Sequence, residues 1–234
     1  MRDKNLIKKS LYFHLRQWLI DGGFVINIEK ETLVQQSSTV YKAVHDNWVF
    51  EDLVKYPVNI YGTSISYNRN FLQGIVTFEQ PVSNTISADY TYIPVTLRER
   101  YPEAEEFQYI DLPLLVIGIG SSPMTSIRLG GDKRVIHDCQ IDIFARNDDE
   151  KDELQNLIED ALKDNPNFEE IDLNQGFPLT ETGEINPDYE KPIKKYLNVR
   201  EIESMPILAS KPTIKERYRV LITFKLYELR PREF

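Results

Sequence analysis

One cysteine, Cys139, stands among 234 residues, which rules out an internal disulfide and leaves too few thiolates for a zinc or iron–sulfur centre. Histidine is nearly as scarce: His14, His45 and His137 lie far apart, and none has a second ligand at metal spacing. No stretch approaches the roughly 20 apolar residues that cross a bilayer, and the opening MRDKNLIKKS lacks the apolar core of a signal peptide. The expectation is therefore a protein made in the cytoplasm, away from membranes. Basic excess is missing as well, since the isoelectric point of about 5.0 is far below that of a nucleic-acid-binding domain.

What is present argues for folding. The hydrophobic fraction is 41%, and 13 Tyr, 11 Phe and 2 Trp supply core-forming rings. The net charge of −9 is concentrated: residues 148–172 carry eleven acids against Lys151 and Lys163, whereas both ends of the chain are net basic.

Periodicity divides the chain. Ile7, Leu11, Leu15, Trp18 and Leu19 recur at three- and four-residue spacing and predict a helix ended by Asp21-Gly22-Gly23. Short apolar runs from Phe24 to Tyr56 suit strands. Val76 and Phe78 alternate with polar neighbours, a turn-forming PVSN follows, and Ile86, Ala88, Tyr90 and Tyr92 alternate again, which predicts a β-hairpin with one buried face. Segments 56–62 and 64–67 are expected to add strands to that same sheet. The polar stretch 98–106 marks a seam. Beyond it, Leu112–Gly120 is apolar enough for a strand buried on both faces.

Val135, His137, Cys139, Ile141 and Ile143 then alternate with polar residues, placing Asp138 and Asp142 together on a solvated face. Asn147 is a helix cap, and Glu150 closes a capping box. The helix that follows has Leu154, Leu157, Ile158, Ala161 and Leu162 on one stripe, with Leu157 and Ile158 expected against Ile141 and Ile143, and Asn165-Pro166 stops it. Six prolines between 165 and 212 argue against long regular elements there, so 168–212 is expected to be a mobile docking arm. The chain closes with Tyr218, Val220, Ile222, Phe224 and Leu226 alternating with Arg217, Arg219, Thr223 and Lys225: a long strand with a basic outer face.

Chemical motifs are weak. Gly118-Ile119-Gly120-Ser121-Ser122-Pro123 follows a strand as a dinucleotide loop would, but its third glycine is replaced by proline. Gly130-Gly131-Asp132-Lys133 lacks an upstream glycine at phosphate-loop spacing and reads as a turn. His137 with Cys139 suits a core strand better than a ligand pair, and Ser121 and Ser126 have no nucleophile context. The expectation is a non-enzyme without cofactor or metal.

The segment LPLLVIGIGSSPMTSIRLGGDKRVIHDCQIDIFARNDDEKDELQNLIEDALKDN, residues 112–165, resembles the core of tail-terminator (tail-completion) proteins of long-tailed bacteriophages. The likeness lies in the order of strand, loop, strand ending in a small residue and acids, then helix, with the last strand completing the sheet. GIVTF at 74–78 followed by ISADYTY at 86–92 also looks like a hairpin phrase of phage virion proteins.

The alternation pattern together with this resemblance gives an α+β fold: a mostly antiparallel mixed sheet packed by an N-terminal helix (1–23) and a central acidic helix in a core (100–234), to which the chain adds, beyond a minimal tail terminator, a β-rich region (24–99) and a proline-rich arm (165–212). The resemblance implies a virion neck protein forming a ring, usually a hexamer, that ends the tail tube and joins it to the head while duplex DNA passes through the lumen without sequence-specific contact. The partners implied are other copies, a tail tube or sheath protein, and a head connector or adaptor. Subunit contacts are expected from Arg217, Arg219 and Lys225 meeting Asp148, Asp149 and Glu153 of a neighbour, and from Phe177, Tyr189 and Tyr196 of the arm. Another phage structural component (head-completion, adaptor, baseplate or tube protein) or a small-molecule-binding protein is the alternative.

Overall fold

The computed structural model describes residues 2–120, 124–126, 133–169, 171, 196–207 and 214–230. The fold is α+β. Its elements form two compact units, one from residues 2–18 with the described residues from Val95 onward, the other from 19–94. The boundary at Pro94 precedes the polar stretch 98–106, which belongs wholly to the first unit.

The helix α1 (Arg2–Asp21), which lies in the first unit up to residue 18, buries Ile7, Leu11, Leu15, Trp18 and Leu19, the stripe that the spacing predicts. Gly23 closes it with φ +77°: its N–H donates to Ile20 O and that of Phe24 to Leu19 O, at 3.0 and 2.8 Å. A left-handed glycine pairing back onto two orphan carbonyls is how many helices stop.

The large sheet uses seven strands: β8 (Thr96–Arg98), β9 (Leu114–Ile119), β10 (Met124–Ser126), β11 (Lys133–Ala145), β12 (Asn167–Glu169), β13 (Tyr196–Pro206) and β14 (Tyr218–Arg230). Their order is β12-β13-β14-β11-β9-β8, with β10 also paired to β11. All pairs are antiparallel except β8 with β9. β11 and β14 pair over their full length, from Lys133 opposite Arg230 to Ala145 opposite Tyr218. Side chains alternate across a strand. Cys139, Ile141, Ile143, Ile222, Phe224 and Leu226 therefore share one face and are buried.

The helix α3 (Asp148–Asp164) packs against β11, β13 and β14, and its bond from Gln155 Nε2 to Ser204 Oγ, 3.0 Å, puts it on that buried face. Leu154, Ile158 and Leu162 are buried, whereas Leu157, expected beside them, is only half-buried because it sits a hundred degrees around the helix from Ile158. Asn147 caps the helix, accepting from Glu150 N at 2.8 Å, but Glu150 does not reach back to the cap residue as a capping box would. Its carboxylate takes the N–H of Arg146 instead, at 2.7 Å, together with the Arg146 guanidinium.

The 165–212 expectation is corrected. Despite its prolines, that stretch contains β13, eleven residues long, with Pro206 at its last position. A proline at a strand end removes no ladder donor that the sheet needs. Tyr196, expected in the arm, opens this strand, while Phe177 and Tyr189 lie outside the described residues and so does the expected mobility of their segment.

The second unit holds two sheets. β1 (Ile26–Thr32), β7 (Ser87–Tyr92) and β4 (Asn59–Tyr61) form one, in the order β1-β7-β4; β2 (Val34–Gln35), β3 (Val40–Lys42), β6 (Ile75–Phe78) and β5 (Tyr67–Asn70) form the other, in the order β2-β3-β6-β5. The predicted hairpin of 76–78 with 86–92 is therefore overturned. Both runs alternate as expected, but β6 turns back on β5 and β7 lies between β1 and β4. Alternation fixes which face is buried, not which strand is the neighbour. Trp48, fully buried, joins the two: it stacks on Tyr90 at 4.4 Å between ring centroids and meets Phe71 edge-on.

Candidate functional site

The face of the large sheet opposite α3 carries the unit's polar chemistry. The short helix α2 (Ala104–Phe107) and its flanks cover one end of this face, where Phe107 and Leu112 pack on Ile110, Leu114, Val116 and Phe144. Beneath this cover lies Asp142, with no exposed surface.

Asp142 is fully engaged. Arg219 grips it with two nitrogens, Nε to Oδ1 at 2.8 Å and a terminal nitrogen to Oδ2, and the Tyr101 hydroxyl donates to Oδ2 at 2.6 Å. Gln140 Nε2 donates to the same tyrosine oxygen at 2.9 Å. A buried carboxylate is tolerable only when paired and hydrogen-bonded in this way. The ionic bond holds Arg219 more firmly protonated, and burial followed by the Asp142 carboxylate pushes the Tyr101 phenol well above its ordinary range. The solvated carboxylate pair expected of Asp138 and Asp142 does not exist: Asp142 lies inside the first unit because Tyr101, from a segment the strand pattern could not place, folds over it.

Beside the network is an open cavity of about 320 Å³ lined by Gly120, Asp138, Gln140, Glu203, Thr223 and Lys225, among others. Gly118 makes room for the Gln140 side chain: a Cβ there would stand 2.6 Å from Gln140 Cγ. A bulge between Arg200 and Glu203 gives the next feature, since Glu201 adopts φ +54°. Its carboxylate bonds Lys225 and accepts from Tyr227 Oη at 2.8 Å. Those two bonds, the lysine's first, hold the Glu201 carboxyl below its ordinary range. Past the bulge, the guanidinium groups of Arg134 and Arg200 lie 5.8 and 5.4 Å from the Tyr227 ring centroid.

The expected interface residues are distributed as follows. Arg217 is exposed just ahead of β14, against the ring of Tyr218; Arg219 and Lys225 are committed within the chain to Asp142 and Glu201. Asp148, Asp149 and Glu153 are exposed on α3, on the opposite side of the sheet from Arg219 and Lys225. Tyr196 opens β13. Tyr101, Glu201, Arg134, Arg200 and Tyr227 were not singled out by sequence; the alternation of β11 and β14 could have found Arg134 and Tyr227, but no local signal marks Tyr101.

On the inner face, His137 and Glu228 form a buried pair at 3.2 Å. Burial pushes the Cys139 thiol far up, so it is a core side chain. Among the described residues no group of three or more His, Cys, Asp or Glu could hold a metal ion, and no helix is long and apolar enough to cross a membrane. In this arrangement the Asp142 carboxylate and the Arg219 guanidinium neutralise each other, and Tyr101 and, through it, Gln140 are bonded to them. Compared with known proteins, the chain matches no family model and no curated relative.

Proposed function

We propose that this chain is a structural subunit of a bacteriophage neck, one copy of a ring that ends the tail tube and joins it to the head. One observation carries the proposal. β9, β11, α3 and β14 follow one another in the order on which the resemblance rests, β11 and β14 pair along their whole length, and α3 lies across them with Asp148, Asp149, Glu153 and Asp160 exposed. A stiff sheet braced by one helix suits a subunit whose work is geometric. Its mechanism is closure: identical contacts repeated head to tail around an axis make a ring, and the ring presents one rim to the tube and the other to the connector. Where α3 faces the lumen, Asp149, Glu153 and Asp160 repel the phosphates of passing DNA and keep it from sticking.

Light scattering after size-exclusion chromatography, across a concentration series and with electron microscopy of the peak, tests this reading. The expected result is ring-shaped assemblies, hexameric in mass, that bind purified tail tubes at one end. A protein that stays monomeric at every concentration, with and without tubes, overturns it.

A further inference from the structure

The open cavity beside the Asp142 network has β14 as its floor and β11 and β13 as its walls. Register places Gln140 and Glu203 on either side of Thr223 in one row across those three strands, and all three line the cavity. Two strand spacings, about 10 Å, separate the backbones of the two walls, so a group lying between them can touch both side chains. The bonds within the chain leave acceptors there. Gln140 gives its amide nitrogen to Tyr101, its carbonyl oxygen accepts nothing among the described residues, and the Thr223 hydroxyl donates to the Glu203 carbonyl at 3.4 Å. The exposed Glu203 carboxylate has no hydrogen bond or ion pair among the described residues. Lys225 and Glu201 neutralise each other, Asp138 is engaged within the chain, and Arg200, opposite Lys225, is turned toward Asn198 and the Tyr227 ring. Glu203 is thus the charge that nothing described on these walls offsets.

We propose that this cavity binds a protonated aliphatic amine, with the Glu203 carboxylate as its counter-ion and Gln140 Oε1 as a second acceptor. An ammonium group carries three donors and no acceptor, which matches walls whose open positions are acceptors. Bonds of this charge-assisted kind are about twice as strong as neutral ones. The chain's own ammonium groups already gather on neighbouring oxygens: Lys225 bonds Glu201, and Lys4 bonds the carbonyl of Gly120, which also lines the cavity. An anion fits poorly, because it would meet Glu203 and find Lys225 already neutralised. The volume of about 320 Å³ is at the small end of ligand sites and suits an alkyl chain of a few carbons. The amine is either a free molecule or the lysine side chain of a partner protein, and both present the same group. This site goes beyond the ring reading and does not rest on it.

Isothermal titration calorimetry of the whole chain at low salt tests it, with spermidine as the probe for a free amine and Nα-acetyl-lysine amide as the probe for a protein side chain. At least one of them is expected to saturate at one molecule per chain. Saturation by spermidine assigns the site to a free amine, and saturation by the lysine amide alone assigns it to a partner's side chain. Glu203→Gln, which keeps the size and removes the charge, should weaken that binding about tenfold, and Glu203→Lys should abolish it by placing an ammonium in the site. Both variants should fold, because the Glu203 side chain makes no bond in the chain. If neither probe saturates below about 10 mM, no amine site exists here. If several spermidine molecules bind and Glu203→Gln changes nothing, the attraction belongs to the acidic surface at large and the inference fails. Saturation by inorganic phosphate in place of either amine, lost in Lys225→Met, would likewise overturn it.

Discussion

The Tyr101 hydroxyl donates to Oδ2 of Asp142 across 2.6 Å, tying a coil residue to a carboxylate 41 positions later that has no exposed surface. With Arg219 on the other side, the bond fixes the 98–110 segment over the sheet, and so defines where the outer face is covered and where it is open.

Asp142→Ala should be costly, because it leaves the Arg219 guanidinium, whose side chain is 22% exposed, without its partner. We expect a loss of about 3–5 kcal/mol by urea unfolding. Tyr101→Phe removes one bond and should cost about 1 kcal/mol. Equal and small effects of both would mean the network carries no weight in stability.

Packing beneath α3 separates two neighbouring residues. Ile158→Ala empties a site with no exposed surface and should destabilise by about 2–5 kcal/mol. Leu157→Ala, half-buried, should cost about half as much or less in the same chemical melts. A reversed order would place the other stripe of the helix on the sheet.

Glu159 gives a pH dependence. Hydrogen bonds from Ser204 and Gln155, followed by Lys163, lower its carboxyl from 4.5 to about 2. A depressed carboxyl stabilises the fold above its unfolded value, and that contribution is lost as pH falls toward the folded one. The melting temperature of Glu159→Gln should accordingly lie below that of the unaltered chain at neutral pH and converge on it between about pH 4.5 and 2. A gap unchanged over that window would show that ionised Glu159 adds nothing.

In the second unit, Gly74 has φ +62°, and a Cβ there would stand 2.4 Å from the His45 carbonyl oxygen, which also accepts from Trp48 Nε1 at 2.9 Å. Gly74→Ala should cost at least about 1–3 kcal/mol and weaken the native fluorescence signal of Trp48. Unchanged fluorescence and stability would rule out the close approach.

Cys139 should resist alkylation at pH 8 in the folded protein and react at once in denaturant, since it is 3% exposed and its thiol is held protonated by burial. Labelling at comparable rates in both states would contradict its place in the core.

The sequence by itself determined what depends on near neighbours along the chain. Spacing along α1, alternation along β7, β11 and β14, and the Asn147 cap all depend on residues within a few positions, and each is where the pattern puts it. It also determined that charge is segregated, because eleven acids within 25 residues must make an acidic surface whatever the fold. Tertiary structure alone decided pairing and company. β6 and β7 have the pattern of a hairpin yet serve different sheets, since alternation names a buried face but is silent about the strand beside it. Six prolines suggested an irregular arm, yet a strand fits between them once β14 supplies the ladder. Asp142 looked solvated because its neighbours at 140 and 138 are polar; only a tyrosine 41 positions earlier and an arginine from the last strand make burying it possible. For the same reason the basic face of β14 could be seen as a stripe of charge, but which of its charges remain for a partner was settled by Asp142 and Glu201, brought to Arg219 and Lys225 through long-range pairing.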